Sequence, residues 1–326
     1  MKKIIILFFL FPVLLSTFLL TEGSTKINTN YSNSDKTDKE TLEFWERTLK
    51  YGTTGQKESV VNYIKYHEIK KGENLILRFI PREKDEKIKK LMISTLIASD
   101  NKKVLPFLFE IVKSAGDEND DMKIFAISSL GEMKCKDVNQ YIIKNIDKEN
   151  ELLVKASIRT LGETGDISIL EELLKRVQEE KRVNVRTELI LALANIRSEK
   201  AENCLIGIFT NQEEKSIDRG YAATGLGYIK NKRSLALLTK YYYREEGNLK
   251  IRIIDSLGNI GFKEGIELLI ESVKDDDKDI RIFGIRALGK LKAKEALDIL
   301  KYKEEYDPEH KVRLEAKKAL EKITGK

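Results

Sequence analysis

Proline, cysteine and histidine are nearly absent from this chain of 326 residues, and each scarcity closes off a class of function. With only four prolines, long stretches are free of the residue that breaks helices. Two histidines, His67 and His310, and two cysteines, Cys135 and Cys204, do not supply the three or four converging ligands a metal centre needs. His67-Glu68 is therefore expected to be an exposed surface pair. No nucleophile motif, phosphate-binding glycine loop or metal-ligand spacing occurs. The expectation is a protein that is not an enzyme, with no catalytic residue, no cofactor site and no metal. Charge of one sign is also lacking: 59 Lys and Arg face 53 Asp and Glu, a formal +6. That is too modest to imply nucleic acid, and none is expected as a partner.

A long apolar run occurs once, at the start. Met1-Lys2-Lys3 precedes Ile4–Leu20, followed by Thr21-Glu22-Gly23-Ser24. A charged start, an apolar middle and small residues near Gly23 make residues 1–23 a secretory signal peptide. Pro12 and the 17-residue length of the run argue against a lasting membrane span. If the segment is retained, Ile4–Leu20 is the only anchor, because no cysteine precedes Cys135 to carry a lipid. The chain is expected to be exported, to the periplasm or the cell envelope. Residues 24–40, rich in Ser, Thr, Asn, Asp and Lys, have too little to bury to offset the cost of ordering, and read as a flexible linker.

From residue 41 to 326 the sequence repeats itself. A basic residue, a small or apolar residue three later, an apolar residue seven later and usually glycine eight later recur from Lys57, Lys89, Lys123, Val154, Arg186, Arg219, Lys250, Arg281 and Arg313. The spacings are 32, 34, 31, 32, 33, 31, 31 and 32 residues. Val154 departs from the basic rule, its lysine displaced to Lys155. The glycine column reads Gly131, Gly162, Gly227, Gly258 and Gly289, with Ala194 in place of one glycine. Each unit predicts two helices. In the second, Ile280, Phe283, Gly284, Ala287, Leu288 and Leu291 share one face of a 3.6-residue helix; in the first, Ile266, Leu269, Ile270 and Val273 do so. Asp121, Asp218 and Asp279 are placed to cap second helices. Such pairs bury their stripes only by stacking on neighbours.

The segments Asp279–Leu297 and Leu152–Leu170 resemble HEAT-like repeats of the bilin-lyase type, over roughly residues 41–323. The resemblance implies an all-α, right-handed α-solenoid of about nine two-helix repeats with a period near 32 residues. It leaves function open, because such repeats serve scaffolds, transport receptors, lyases, hydroxylases and DNA-repair proteins. The deoxyhypusine-hydroxylase type holds its metals with four His-Glu pairs, and this chain has one. The leading expectation is a scaffold or adaptor for a protein or peptide, with a lyase-like or enzyme-accessory protein and a nucleic-acid-binding repeat protein as alternatives.

Where the partner binds follows from helical geometry. Positions one, five and eight after the basic residue lie opposite the apolar stripe, and in the central repeats small and moderately apolar residues dominate there. They form either a crowded helix contact or a smooth trough for a partner segment, with Arg159, Leu191, Thr224, Gly227, Asp255 and Arg286 as candidates. In Tyr241-Tyr242-Tyr243, Tyr242 is expected in the core, while Tyr241 and Tyr243 are either peripheral packing or binding anchors. Within-repeat loops are acidic (117–121, 275–277) and between-repeat loops basic (Lys230, Lys232, Arg233; Lys290, Lys292, Lys294). The basic column reads as structural, paired with neighbouring aspartates, or as a phosphate ladder. Cys135 and Cys204, two repeats apart, are too distant for a disulfide and are expected as free buried thiols.

Overall fold

The computed structural model of the chain describes residues 38–114 and 120–325. The signal segment and nearly all of the linker lie outside the described residues, as do Asp117, Glu118 and Asn119 of the acidic loop. Among the described residues there are eighteen α-helices and no strand, as the repeat pattern predicts. The described chain divides at Asp100 and Asn101 into two compact units.

The first unit contains α1 (Lys39–Tyr51), α2 (Thr54–Tyr66), α3 (Lys70–Phe79) and α4 (Glu86–Ala98). Helix α1 already includes Lys39 and Glu40, which the sequence assigned to the linker, and Asp38 accepts from the Thr41 N–H and caps it, satisfying one of the orphan donors of its first turn. Thr53 and Gln56 close a reciprocal capping box on α2, and Asp85 caps α4. Trp45, Leu49, Val61, Ile64, Ile76, Ile88 and Met92 fill the core of this unit.

The second unit contains α5 (Leu105–Lys113), α6 (Asp120–Glu132), α7 (Asn139–Ile142), α8 (Glu151–Thr164), α9 (Leu170–Glu179), α10 (Val183–Ile196), α11 (Glu199–Thr210), α12 (Ser216–Ile229), α13 (Lys232–Tyr242), α14 (Gly247–Ile260), α15 (Ile266–Ser272), α16 (Lys278–Leu291), α17 (Leu297–Tyr306) and α18 (His310–Thr324). Every member of the basic column falls on an even-numbered helix, so each repeat is a first helix followed by the second helix that carries the column. The first helix of the fourth repeat is short and continues as a 3-10 turn over Ile143–Asp147. In this unit each second helix packs directly on the next, whereas first helices meet one another far less. The second helices therefore occupy the tighter, inner side of the stack.

The glycine column explains that close approach. A Cβ on Gly162 would stand 2.7 Å from Ala192 Cα, and one on Gly227 would stand 2.8 Å from Ser256 Cα. Real side chains do not tolerate such distances, so the column is a steric requirement of stacking. The basic column is equally internal. Arg186 donates to Glu214 at 2.8 and 2.9 Å and also pairs with Asp218. Arg219 pairs with Glu245, Lys250 with Asp275 at 2.9 Å, and Lys57 of the first unit with Glu83 at 2.8 Å. Arg281 grips Asp307 through two bonds of 3.0 and 3.1 Å. Each arginine or lysine thus reaches a carboxylate in the within-repeat loop of the following repeat. Arg186 and Arg219 also tie down their own first helix, donating at 3.0 Å to the Val177 and Phe209 carbonyls.

Three expectations change in detail. The partners are mainly loop carboxylates, Glu83, Glu214, Glu245, Asp275 and Asp307. Asp218 and Asp279 lie within the first turns of α12 and α16, and the cap of α16 is Asp277. Their carboxylates favour the positive helix end without capping it. Cys135 and Cys204 are free, but half-buried where burial was expected; removal from water pushes both thiols up.

Candidate partner-binding face of the second helices

Exposure along the second helices assigns the open face. Eight after the basic residue, Gly131, Gly162, Ala194, Gly227, Gly258 and Gly289 are all buried. One after it, the residues are half-buried or buried in all but the last repeat, where Leu314 is 42% exposed. The solvent-facing ridge runs instead through positions two before and nine after, which are exposed in nearly every described repeat, with position five open only in part and position two half-buried in most; their 4-3-4 spacing is that of one helix face. A helix in a stack is covered on two flanks as well as underneath, and the row facing the following repeat is not open. Only position five belongs both to the predicted set and to the ridge.

The candidate residues separate accordingly. Thr224 is 5% exposed and donates to the Gly220 carbonyl at 3.1 Å, and Gly227 is packed on Ser256. Both belong to the helix contact and neither can line a trough. Leu191 and Asp255 are half-buried, and Asp255 accepts from Asn259 at 3.2 Å. Arg159 and Arg286 are exposed, yet each reaches across to the next repeat, Arg159 to Glu188 and Arg286 to Glu315 at 2.9 Å. The Glu315 carboxyl is held at about 2, chiefly by the hydrogen bond from Arg286 and further by Lys318. These two pairs brace the ridge at either side of its centre.

Sequence periodicity missed the apolar members of the ridge. Leu152 and Ile217, both two before the column, are 66% and 48% exposed, and Tyr228, nine after it, is 41%; Val183, three before the column and off the ridge, is 37%. Tyr221 is half-buried beneath the Arg252 guanidinium, 4.9 Å from its ring. The signal for Leu152 and Ile217 was present in the sequence, as aliphatic residues in a column elsewhere filled by Asp121, Asn184, Asn248, Asp279 and Lys311. On the first-helix side, Tyr242 is in the core, as expected. Tyr241 is half-buried 4.8 Å from Phe209. Tyr243 is 64% exposed and donates to Glu271 at 2.9 Å. Among the described residues no group of His, Cys, Asp and Glu could hold a metal, and no helix is long and apolar enough to cross a membrane.

A family model of HEAT repeats matches residues 105–194 and 243–321, just over half of the chain. The chain belongs to the HEAT-repeat family. Among solved structures it is similar to the CpcE and CpcF complex of phycocyanin lyase from Nostoc sp. PCC7120, at 16% identity, covering 66% of this chain and 86% of that one with a TM-score of 0.44. It is similar to human deoxyhypusine hydroxylase in complex with glycerol at 15% identity, over 83% and 98% of the two chains, TM-score 0.35. An engineered protein matches at 15% identity over 90% and 86%, TM-score 0.44. Similarity at this level concerns the fold alone. No curated protein matches the sequence.

Proposed function

We propose that this HEAT-repeat protein is an exported, non-catalytic adaptor that binds a protein or peptide along the ridge of its second helices in residues 101–326. The observation that carries the reading is the set of exposed apolar side chains Leu152, Ile217 and Tyr228 on the ridge of α8 and α12, with Val183 exposed at the start of the intervening α10. Solvent-facing columns of a repeat stack are otherwise polar, and apolar groups concentrated in neighbouring repeats mark an interaction surface. The basic column, buried against protein carboxylates, is not available as a phosphate ladder.

The test is capture from the native host followed by mass spectrometry. Ile217→Arg and Leu191→Arg should keep the helical signal and melting temperature of wild type while losing the captured partner. If both variants bind as wild type and Tyr243→Ala does not, recognition lies on the first helices. Export is checked on the same material: the intact mass should begin near Ser24, and a mass that includes Met1 with recovery in membranes would show a retained anchor.

A further inference from the structure

One column of the ridge carries a graded charge. Nine after the basic residue, the second helices from α6 to α18 present Glu132, Glu163, Asn195, Tyr228, Asn259, Lys290 and Lys322. All are exposed except Asn259, which is half-buried. The order is two acids, three neutral residues centred on an aromatic, then two bases. Among the described residues none of the four charged members forms an ion pair. Lys290 contacts only the Asn259 side-chain oxygen. The neighbouring charges of position five are already committed, Arg159 to Glu188 and Arg286 to Glu315.

The two ends differ in shape as well as sign. At the acidic end Glu163 lies near Glu132 and Glu188; partial burial, followed by repulsion from these carboxylates, raises its pKa against the pull of Arg159. A cation brought there relieves the repulsion. At the basic end a cleft of about 470 Å³ is lined by Gly289, Lys290, Lys292, Glu321, Lys322 and Gly325. Lys292 holds a left-handed backbone there, with φ 52°, which turns the chain beside the cleft.

Resting on the adaptor reading, we infer that this face is a polarised track for a partner segment that is cationic at one end, aromatic or aliphatic in the middle and anionic at the other. The cationic end lies on α6 and α8 and the anionic end on α16 and α18. Second helices about 9–10 Å apart place Glu163 and Lys290 roughly 40 Å from each other, which about a dozen extended residues span at ~3.3 Å each. A nucleic acid meets repulsion over the acidic half. A second copy of this chain laid antiparallel about Tyr228 also matches the charges. It would bring the two exposed Lys230 side chains together at the centre, and it would require a rigid stack to enter the inner side of another, which a single segment does without hindrance.

Three fluorescent peptides test the inference on the full chain by anisotropy at low salt. One has four lysines, a Leu-Tyr-rich centre and four glutamates; the second has the same composition with the charges alternating; the third has glutamates at both ends. The block peptide should bind at least roughly tenfold more tightly than the alternating one, a preference that fades at high salt. E132K/E163K and K290E/K322E should each erase that preference, and E132K/E163K should gain affinity for the third peptide. A photo-crosslinker at the lysine end should label α6 and α8, and at the glutamate end α16 and α18. Equal binding of block and alternating peptides, tightest binding of the third peptide to wild type, no binding of the block peptide, or a wild-type dimer dissociated by either double exchange would each overturn the polarity. Ile217→Arg keeps the two readings apart. It should weaken the block and alternating peptides alike, because both use the central side chains; such a loss beside equal wild-type binding of the two peptides leaves a track without polarity, and if the variant changes nothing, the adaptor reading of this face fails.

Discussion

Replacing Asp307 by asparagine tests the internal ladder at its most buried rung. Asp307 is 2% exposed and Arg281 6%. The carboxylate accepts two bonds from Arg281 and one of 3.0 Å from Lys303. The remaining Arg281 nitrogen donates to the Asp275 and Asp276 carbonyls at 2.9 Å, and Arg313 bonds the Asp307 carbonyl at 2.6 Å. Burial alone would raise the Asp307 pKa, but the hydrogen bonds from Arg281 and Lys303 outweigh it and hold the group below its ordinary value. Removing the charge leaves Arg281 and Lys303 facing a neutral amide, and losing one partner of a buried pair costs about 3–5 kcal/mol. In a repeat stack the loss falls on the nearest interface, so α17 and α18 should lose protection before the rest. Hydrogen exchange read by mass spectrometry, beside urea unfolding followed by circular dichroism, measures both. The double variant Arg281→Met/Asp307→Leu, which removes both charges together, should recover much of the loss. A cost for Asp307→Asn under about 1 kcal/mol, or exchange spread evenly over the second unit, would refute this account of the ladder.

The glycines offer a paired contrast. Gly227→Ala should destabilise by about 1–3 kcal/mol by overpacking against Ser256, whereas Gly207→Ala, with nothing within 4 Å of the added Cβ, should stabilise α11 by about 0.4–1 kcal/mol; urea midpoints check both. Acid should weaken the second unit in a defined window. The Glu315 carboxyl falls from 4.5 to about 2 on folding, and Asp275 and Asp307 are lowered as well. Their stabilisation is complete above the unfolded carboxylate values and is lost as pH falls from there towards about 2; unfolding midpoints that stay flat between pH 5 and pH 2.5 would count against it. Thiol titration should find Cys135 and Cys204 both reduced, with a melting temperature indifferent to reductant.

The repeat period was legible because it rests on a steric rule. Where second helices touch in the second unit, the backbone leaves room for glycine or alanine alone, so Gly162, Ala194, Gly227, Gly258 and Gly289 recur whatever else drifts. The basic column was legible for a related reason: a buried guanidinium has to meet a carboxylate. Its partners were foreseen only in part: Asp218 does pair with Arg186, but Glu214, Glu245 and Asp307 come near the column only after the following repeat has stacked. The binding face was the least readable. A helical wheel drawn for one helix opposes buried and open sides, but a stacked helix has covered flanks, and this moves the open column from position eight to position nine. That one-residue rotation replaces Gly227 by Tyr228 and Gly289 by Lys290, turning a smooth groove of small residues into a line of aromatic and charged side chains. On the proposed reading, recognition falls to the residue beside each structural glycine, a column free to vary because stacking does not constrain it.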